Sequence, residues 1–263
     1  IVQCDKQGKL NPDDVREEIK KNTRLIVITH ASNVTGTILP VEEIGEIAAK
    51  KGIPLLVDAA QTAGTIPVDV VKKKISLLAC PGHKGLLGPQ GTGFLYIGEE
   101  INLKPLIEGG TGSNSELLEQ PDFLPDRFQS GTLNTPGIAG LNAGIEFINK
   151  KSIQGIREHE DMLCETFMNK LKEINPVRIY GPLSKKEKTA LVSFNIEGRD
   201  PADIATALDE KYKIMVRVGL HCSPYAHKTI GTYPAGTLRA SFSIFNTDQE
   251  IDYFIDSLKK TLK

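Results

Sequence analysis

Two short apolar runs in this chain end in polar residues suited to chemistry, and this pattern constrains the fold more than any other feature. The first run ends at Asp58 and Gln61, and the second ends in a glycine-rich turn with His83 and Lys84. Short apolar runs of this kind are typical of buried parallel strands. Because ligands bind at the carboxyl ends of strands in open α/β sheets, we expect these four side chains to share a site.

Helical patterns between the apolar runs indicate strand–helix–strand units with right-handed crossovers. A helix is predicted from Pro12 to about Lys21, and Pro40 to Lys50 repeats the pattern, with Gly52 just past its end. The strands predicted in this half are the tail of a strand at Ile1–Lys6, Arg24–His30, Ile53–Gln61, Ser76–Cys80 and Gly91–Ile97, the last folding back beside Lys84.

The second half of the sequence has a different organisation. Long amphipathic helices are predicted over Gly137–Asn149 and from Ser152 to about Ile174, without a Gly/Ser linker. We therefore predict a large α/β domain over residues 1–150 and a small α+β domain with an antiparallel sheet over 151–263. The elements predicted in the small domain are strands at 189–196, 214–217 and 237–245 and helices at 201–210 and 248–262.

The four polar residues match the needs of pyridoxal phosphate. That cofactor takes a Schiff-base lysine and a carboxylate for its pyridine nitrogen. A lysine held past a buried strand can be desolvated and made nucleophilic, which suits Lys84, and a desolvated Asp58 would be relieved by a protonated ring nitrogen. Taken singly, Lys84 would be interpreted first as a solvated loop lysine, and Asp58 could be the N-cap of the segment that follows it.

Four motifs in order carry a family resemblance: Asn33, Val57-Asp58-Ala59-Ala60-Gln61, Gly82-His83-Lys84 and Arg217-Val218-Gly219-Leu220-His221-Cys222. Together they resemble the class V aminotransferase superfamily of fold type I pyridoxal phosphate enzymes, specifically the cysteine desulfurases. The resemblance covers essentially all 263 residues. It implies an α/β large domain with a mainly parallel sheet and helices on both faces, followed by the small α+β domain.

The resemblance also implies a role for each motif residue. Lys84 and Cys222 would be catalytic: Lys84 holds the cofactor and moves the Cα proton of L-cysteine, and Cys222 attacks the substrate sulfur to give a persulfide and alanine. The implied cofactor-binding residues are Asn33, Asp58, Gln61, His83, Lys84, Thr111 and Ser113, and the implied substrate-binding residues are Asn33, Arg217 and Arg239. The implied partners are a sulfur-acceptor protein and a second copy of the chain in a homodimer.

Several of these residues have a plainer reading when taken alone. Asn33 suits a turn, Arg239 suits a strand surface, and Thr111 with Ser113 suits a flexible glycine-rich loop. An isolated Cys222 would be an inert, buried thiol, whereas its neighbours Arg217 and His221 favour the thiolate. Cys80 lies within a predicted strand and is expected to pack as a small apolar residue.

Composition excludes several classes of function. With 32 basic and 33 acidic residues, the chain has no basic footprint for nucleic acid. No apolar run approaches the roughly 20 residues that span a bilayer. The four cysteines form no CxxC pair, so neither a disulfide framework nor a metal site is indicated, and a reducing cytoplasm is the expected setting.

Two features separate the chain from the full family pattern. Relatives carry a front portion with a phosphate-binding turn and a ring-stacking residue, and neither is visible before Asn33, so we expect a part of a longer enzyme. Pro81 stands where relatives often have a phosphate-binding hydroxyl, and proline also lacks an N–H. The alternatives are selenocysteine lyase, another class V reaction, or an inactive fragment with an incomplete cofactor site.

Overall fold

The computed structural model describes residues 1–114 and 116–263. Its first half contains a four-stranded sheet of order β1-β2-β3-β4, with parallel pairs β1–β2 and β2–β3 and an antiparallel pair β3–β4. The strands are β1 (Ile26–Thr29), β2 (Leu55–Asp58), β3 (Leu77–Pro81) and β4 (Gly93–Ile97), and the helices are α1 (Pro12–Glu18) and α2 (Val41–Lys50). The predicted mainly parallel α/β sheet is confirmed.

The register of this sheet brings the polar strand ends together. Thr29 lies opposite Asp58, and Asp58 lies opposite Ala79, so β1, β2 and β3 end at the same edge. Buried residues such as Ile44, Leu55 and Val57 hold α2 against the strands. The turns that follow β1, β2 and β3 therefore open onto one side of the molecule.

Two helices connect this sheet to the second half of the chain. They are α3 (Thr135–Lys151) and α4 (Ile153–Lys172), separated by Ser152 alone. The Asn134 side chain accepts a hydrogen bond from the Gly137 N–H at the start of α3, and Ser152 Oγ accepts one from Gly155 at the start of α4. The division at residue 150 stays a prediction, close to the junction of these helices.

The second sheet is entirely antiparallel, in the order β5-β6-β8-β7. Its core centres on Phe167, whose ring packs against Phe194, Phe242 and Phe254 at centroid distances of 5.0 to 6.1 Å. The elements are β5 (Val177–Tyr180), β6 (Leu191–Ile196), α5 (Pro201–Tyr212), β7 (Arg217–Gly219), α6 (Pro224–Ile230), β8 (Thr237–Ser241) and α7 (Asp248–Thr261), with 3-10 turns at Asp126–Phe128 and Lys185–Glu187.

Some predicted elements were wrong or displaced. Ile1–Lys6 forms no strand, because no described strand pairs with it, and Asp5 instead accepts hydrogen bonds from the Gln7 and Lys9 N–H groups. The strand expected at 214–217 lies at Arg217–Gly219, where it pairs with β8. Edge strand β5 and the seven-residue helix α6 were missed, because neither carries a long apolar pattern.

Main-chain hydrogen bonds also join the two halves directly. The Thr189 N–H donates to Gly36 O at 2.8 Å and the Ile38 N–H donates to Glu187 O at 2.9 Å, around a bridge between Thr37 and Lys188. We call these two segments, 36–38 and 187–189, the backbone joint. Within the described part of the chain, none of the helices has the length and apolar character required to cross a membrane.

Candidate active site

Lys84 lies in the turn after β3, and close backbone contacts fix that turn. A Cβ atom on Gly85 would lie 2.4 Å from Ala63 O, and one on Gly64, whose φ is +87°, would lie 2.1 Å from Gly85 O. Only glycine allows these two chains to approach so closely. The lysine turn is therefore docked against the segment that follows Gln61. The expected desolvation of the Lys84 side chain is not observed, since the residue is exposed.

Asp58 ends β2, and its side chain is also exposed rather than set in apolar surroundings as expected. Its Oδ1 accepts a hydrogen bond from the Ala60 N–H at 2.8 Å, which is the local capping arrangement considered as the alternative. This hydrogen bond uses only part of the acceptor capacity of Oδ1, because a carboxylate oxygen can accept more than one hydrogen bond. The Asp58 carboxylate therefore keeps acceptor sites for a ligand.

Asn33, in the turn after β1, contacts both sides of the site. Its main-chain oxygen accepts a hydrogen bond from Arg239 Nη1 at 2.8 Å, and its Nδ2 donates to His221 O at 2.7 Å. These bonds connect residues 188 and 206 positions apart in the sequence. Asn33 is therefore the point where the first sheet touches the residues that precede Cys222.

Arg217 and Arg239 lie directly opposite each other on β7 and β8. Burial, followed by the positive charge of Arg217, lowers the pKa of Arg239, and Cys222 partly offsets this. Arg239 Nε is buried with no hydrogen-bond partner among the described residues. Two adjacent guanidinium groups and an unused donor make this wall suited to a carboxylate, which accepts two parallel N–H bonds.

Cys222 is exposed, and Arg217 Nη2 donates to its Sγ at 3.2 Å. The Arg217 guanidinium thus gives this sulfur a charged hydrogen-bond donor. The sequence suggested that His221 would also supply positive charge to Cys222, and this prediction was wrong. The His221 ring turns away to Thr237, where burial first and Arg239 second lower the pKa of the imidazole to about 3.

The other thiols differ from Cys222 in their burial. Cys80 and Cys164 are buried, and burial raises the pKa of each to about 11. Burial also raises the pKa of Cys4, which is half-buried. Cys222 is thus the exposed thiol among these four cysteines, in agreement with the packing role predicted for Cys80.

A cavity of about 450 Å³ between the two sheets brings six predicted site residues together. They are Asn33, Gln61, Lys84, Arg217, Cys222 and Arg239. A neighbouring cavity of about 810 Å³ is lined by Asp58 and shares Asn33, Gln61, Lys84 and Cys222 with the first. The lysine, the thiol and the arginine pair therefore face one space.

Three predicted residues are not brought to this space. His83 is exposed and lines neither cavity. Thr111 and Ser113 also lie outside both, where their hydroxyls are 3.1 Å apart and Ser113 Oγ donates to Asp126 Oδ1 at 2.6 Å. In the described chain these two hydroxyls stabilise their own loop.

Glu160 of α4 lines the smaller cavity and was missed from the sequence. It is 5% exposed, and burial raises the pKa of its carboxyl to about 7, against an opposing effect of Arg157. One signal was available, since Glu160 stands in the apolar stripe of α4 between Ile156 and Leu163. A buried carboxyl in an apolar stripe is a candidate functional group.

Comparison with known proteins gives a consistent result. The family model described as Aminotransferase class-V matches residues 1–254. A probable cysteine desulfurase of Methanothermobacter thermautotrophicus is 38% identical over 99% of this chain and 66% of its own length. The cysteine desulfurase of Haloferax volcanii is 31% identical over 98% of this chain and 60% of its own length.

Solved structures agree with these sequence matches. The apo cysteine desulfurase of Thermococcus onnurineus superposes with a TM-score of 0.87 at 36% identity, over 99% of this chain and 65% of its own. An Escherichia coli cysteine desulfurase in its S-sulfonic acid form gives 0.89 at 26% identity, over 99% and 64%. The chain thus spans about two thirds of the length of these relatives, in the fold they share.

Proposed function

This chain belongs to the class V aminotransferase family, and from that premise we propose that it acts in a pyridoxal phosphate-dependent cysteine desulfurase. The observation that carries the proposal is the shared cavity: Lys84, the Arg217–Arg239 pair and the exposed thiol of Cys222 face the same space. A thiol beside a carboxylate clamp is what sulfur abstraction from a free amino acid requires.

The described residues fit the ring end of pyridoxal phosphate. Lys84 and Gln61 line both cavities, and Asp58 borders the larger one with an open carboxylate for a pyridine nitrogen. When bound, this cofactor acts as an electron sink for the substrate's Cα. The phosphate end is incomplete in the described residues, because His83 lines neither cavity and Pro81 has no N–H to donate.

Each side chain then has a task towards L-cysteine. Arg239, supported by Arg217 and Asn33, binds the substrate carboxylate through charge-assisted hydrogen bonds. Lys84 holds the cofactor and transfers the Cα proton through its amine. Gln61 orients the cofactor in this proposal, with Asp58 as the partner of the ring nitrogen.

Cys222 performs the sulfur transfer. Its thiolate attacks the substrate sulfur, the Cβ–S bond of the substrate breaks, and the bonding electron pair stays on the Cβ side, where a proton completes alanine. The new S–S bond leaves a persulfide on Cys222. Because Cys222 is exposed, a sulfur-acceptor protein can reach that persulfide without the chain unfolding.

A homodimer is also part of the proposal, with Thr111 and Ser113 directed towards the phosphate site of the second copy. The loop before them exposes Leu106 and Ile107, and Leu118 follows it, at 96%, 68% and 103% exposure. Large exposed apolar side chains in one stretch are typical of an interface. Light scattering on the full-length protein measures the oligomer, and a monomer at all concentrations would contradict this part.

Two mapping experiments on the full-length protein test the function. With pyridoxal phosphate present, borohydride reduction should label Lys84 and leave Lys72, Lys73 and Lys74 unlabelled. After L-cysteine is added, peptide mass spectrometry should find one extra sulfur on Cys222 and alanine in solution. A label on another lysine would overturn the assignment of Lys84. Alanine formation without sulfur on Cys222 would favour a selenocysteine lyase-type reaction, and a 2-oxo acid in place of alanine would indicate transamination. The cytoplasmic location stays a prediction.

A further inference from the structure

Two buried histidines lie behind Cys222, and nothing in the proposed reaction uses them. We propose that His221 and His227 are positioning residues, which lock the Cys222 turn so that its thiol stays beside Arg217. The inference deepens the role proposed for Cys222 and rests on it. The imidazoles touch neither the substrate nor the cofactor in this scheme, so they act through geometry.

Two imidazole–threonine pairs form this lock. His221 Nε2 lies 3.0 Å from Thr237 Oγ1 on β8, and His227 Nδ1 lies 2.7 Å from Thr232 Oγ1 after α6. The two rings pack on each other with centroids 5.3 Å apart. His221, His227 and Thr237 are at most 3% exposed and Thr232 is 8% exposed, so these bonds are shielded from water.

The turn needs such a lock because its backbone is strained. His221 and Cys222 have φ angles of +50° and +61°, two consecutive residues in the left-handed region that disfavours side chains with a Cβ. Asn33 Nδ2 holds His221 O, and the Ser223 N–H closes onto Leu220 O at 2.8 Å. The His221 side chain is the buried anchor between these main-chain bonds.

The surroundings of the two rings separate positioning from acid–base chemistry. His221 Nδ1 is buried without a partner among the described residues, so a second N–H on this ring would be unpaired. Burial lowers the pKa of both rings, and Arg239 and Arg217 add to this at His221. Each ring is held by its hydrogen bond with a threonine hydroxyl.

The consequence reaches the thiol through Arg217. With the turn locked, Cys222 Sγ stays 3.2 Å from Arg217 Nη2. Release of the turn would let two left-handed residues relax and carry the sulfur away from the guanidinium. The thiolate would then lose a charge-assisted donor, and its reactivity would fall.

The test measures the alkylation rate of Cys222 in the full-length protein without substrate, by iodoacetamide labelling at neutral pH and peptide mass spectrometry. Thr237→Val removes the hydroxyl and keeps the shape, so alkylation should slow about three- to tenfold, the effect of one hydrogen bond. Thr237→Ser should restore the rate. Thr62→Val breaks the matching buried pair with His30, 2.9 Å apart in the other half, and should leave the rate unchanged.

A double-mutant cycle separates positioning from general loosening. Arg217→Gln should slow alkylation, and Thr237→Val added to it should slow it no further, because the second change acts only through the first. Thr232→Val should also slow alkylation, but by a smaller factor than Thr237→Val. It replaces Thr237→Val in the test if circular dichroism shows that Thr237→Val does not fold. Unchanged or faster alkylation, additive effects, or an equal effect of Thr62→Val would each overturn the proposal. All of these readouts are independent of desulfurase activity.

Discussion

The side chains on two sides of the cavity are positioned differently. The lysine side carries Asp58 and Lys84, and the cysteine side carries Arg217, Arg239 and Cys222. On the lysine side, Asp58 and Lys84 are exposed, and the Gly64–Gly85 contact fixes the turn rather than the amine. On the cysteine side, Arg239 is bonded to Asn33, and Arg217 is bonded to Cys222. The fold thus preorganises the groups proposed to attack the substrate sulfur, whereas the lysine proposed to hold the cofactor and move a proton has an exposed side chain.

The largest effects should come from mutations that remove the reactive group on one side and leave the other side intact. In the full-length protein, Lys84→Ala should remove every reaction with L-cysteine, a loss of at least about 10³-fold, because nucleophile and proton carrier are one group. Cys222→Ala should lose alanine and sulfide formation equally but still show cofactor-linked spectral changes when L-cysteine binds. Initial rates and absorbance spectra measure both.

The matched control for that comparison is Cys80→Ala. Its thiol is buried, and burial raises its pKa to about 11, so activity should remain near that of the unmodified protein. If Cys222→Ala turned over L-cysteine at the unmodified rate, the sulfur-transfer role of the cysteine side would fail.

The next effect concerns the arginine pair. Arg239→Lys should lower kcat/KM for L-cysteine by about 10- to 100-fold, mainly through KM, because a bidentate carboxylate clamp and the bond to Asn33 O are both lost. Rates over a range of L-cysteine concentrations measure this. Arg178→Lys, on edge strand β5, is the matched control and should change neither parameter; an equal loss there would mean a structural effect only.

Glu160 should make the free energy of unfolding decrease as the pH rises. Its pKa is raised to about 7 in the folded chain, so its stabilising contribution is full below the unfolded value of 4.5 and is lost as pH rises through 7. Glu160→Gln should therefore raise the free energy of unfolding by about 2 to 3 kcal/mol at pH 8 and change it little near pH 4. Urea unfolding at several pH values measures this, with Glu165→Gln on the exposed side of α4 as control.

His30, on the lysine side, should give a slope of stability against pH with the opposite sign and a similar size. Burial lowers the pKa of its imidazole to about 4, so its contribution is present above 6.5 and is lost as pH falls towards 4. His30→Gln keeps a polar partner for Thr62 and removes the titration. Over that interval the unmodified protein should lose about 3 kcal/mol more than the variant. Parallel stability curves would show that His30 does not contribute.

The sequence predicted those parts of the site that depend on strand order. Asp58, Gln61 and Lys84 meet because parallel strands end at one edge of the sheet. The short apolar runs that form these strands are visible in the sequence. The direction of the His221 ring was not predictable, since it depends on two positive φ angles and on a threonine 16 positions away. Thr111 and Ser113 were assigned from the resemblance alone, and the described chain turns their hydroxyls to each other.

The backbone joint has an evolutionary consequence. The bonds from Thr189 to Gly36 and from Ile38 to Glu187 use main-chain atoms, which every amino acid except proline supplies in full. Gly36 is also constrained, by its φ of +76° and the Leu191 side chain 3.3 Å from a would-be Cβ. These two bonds persist under any substitution that keeps the chain path, so the identity of the joint residues is constrained by packing, at the buried Thr37, Lys188 and Thr189, rather than by the bonds themselves.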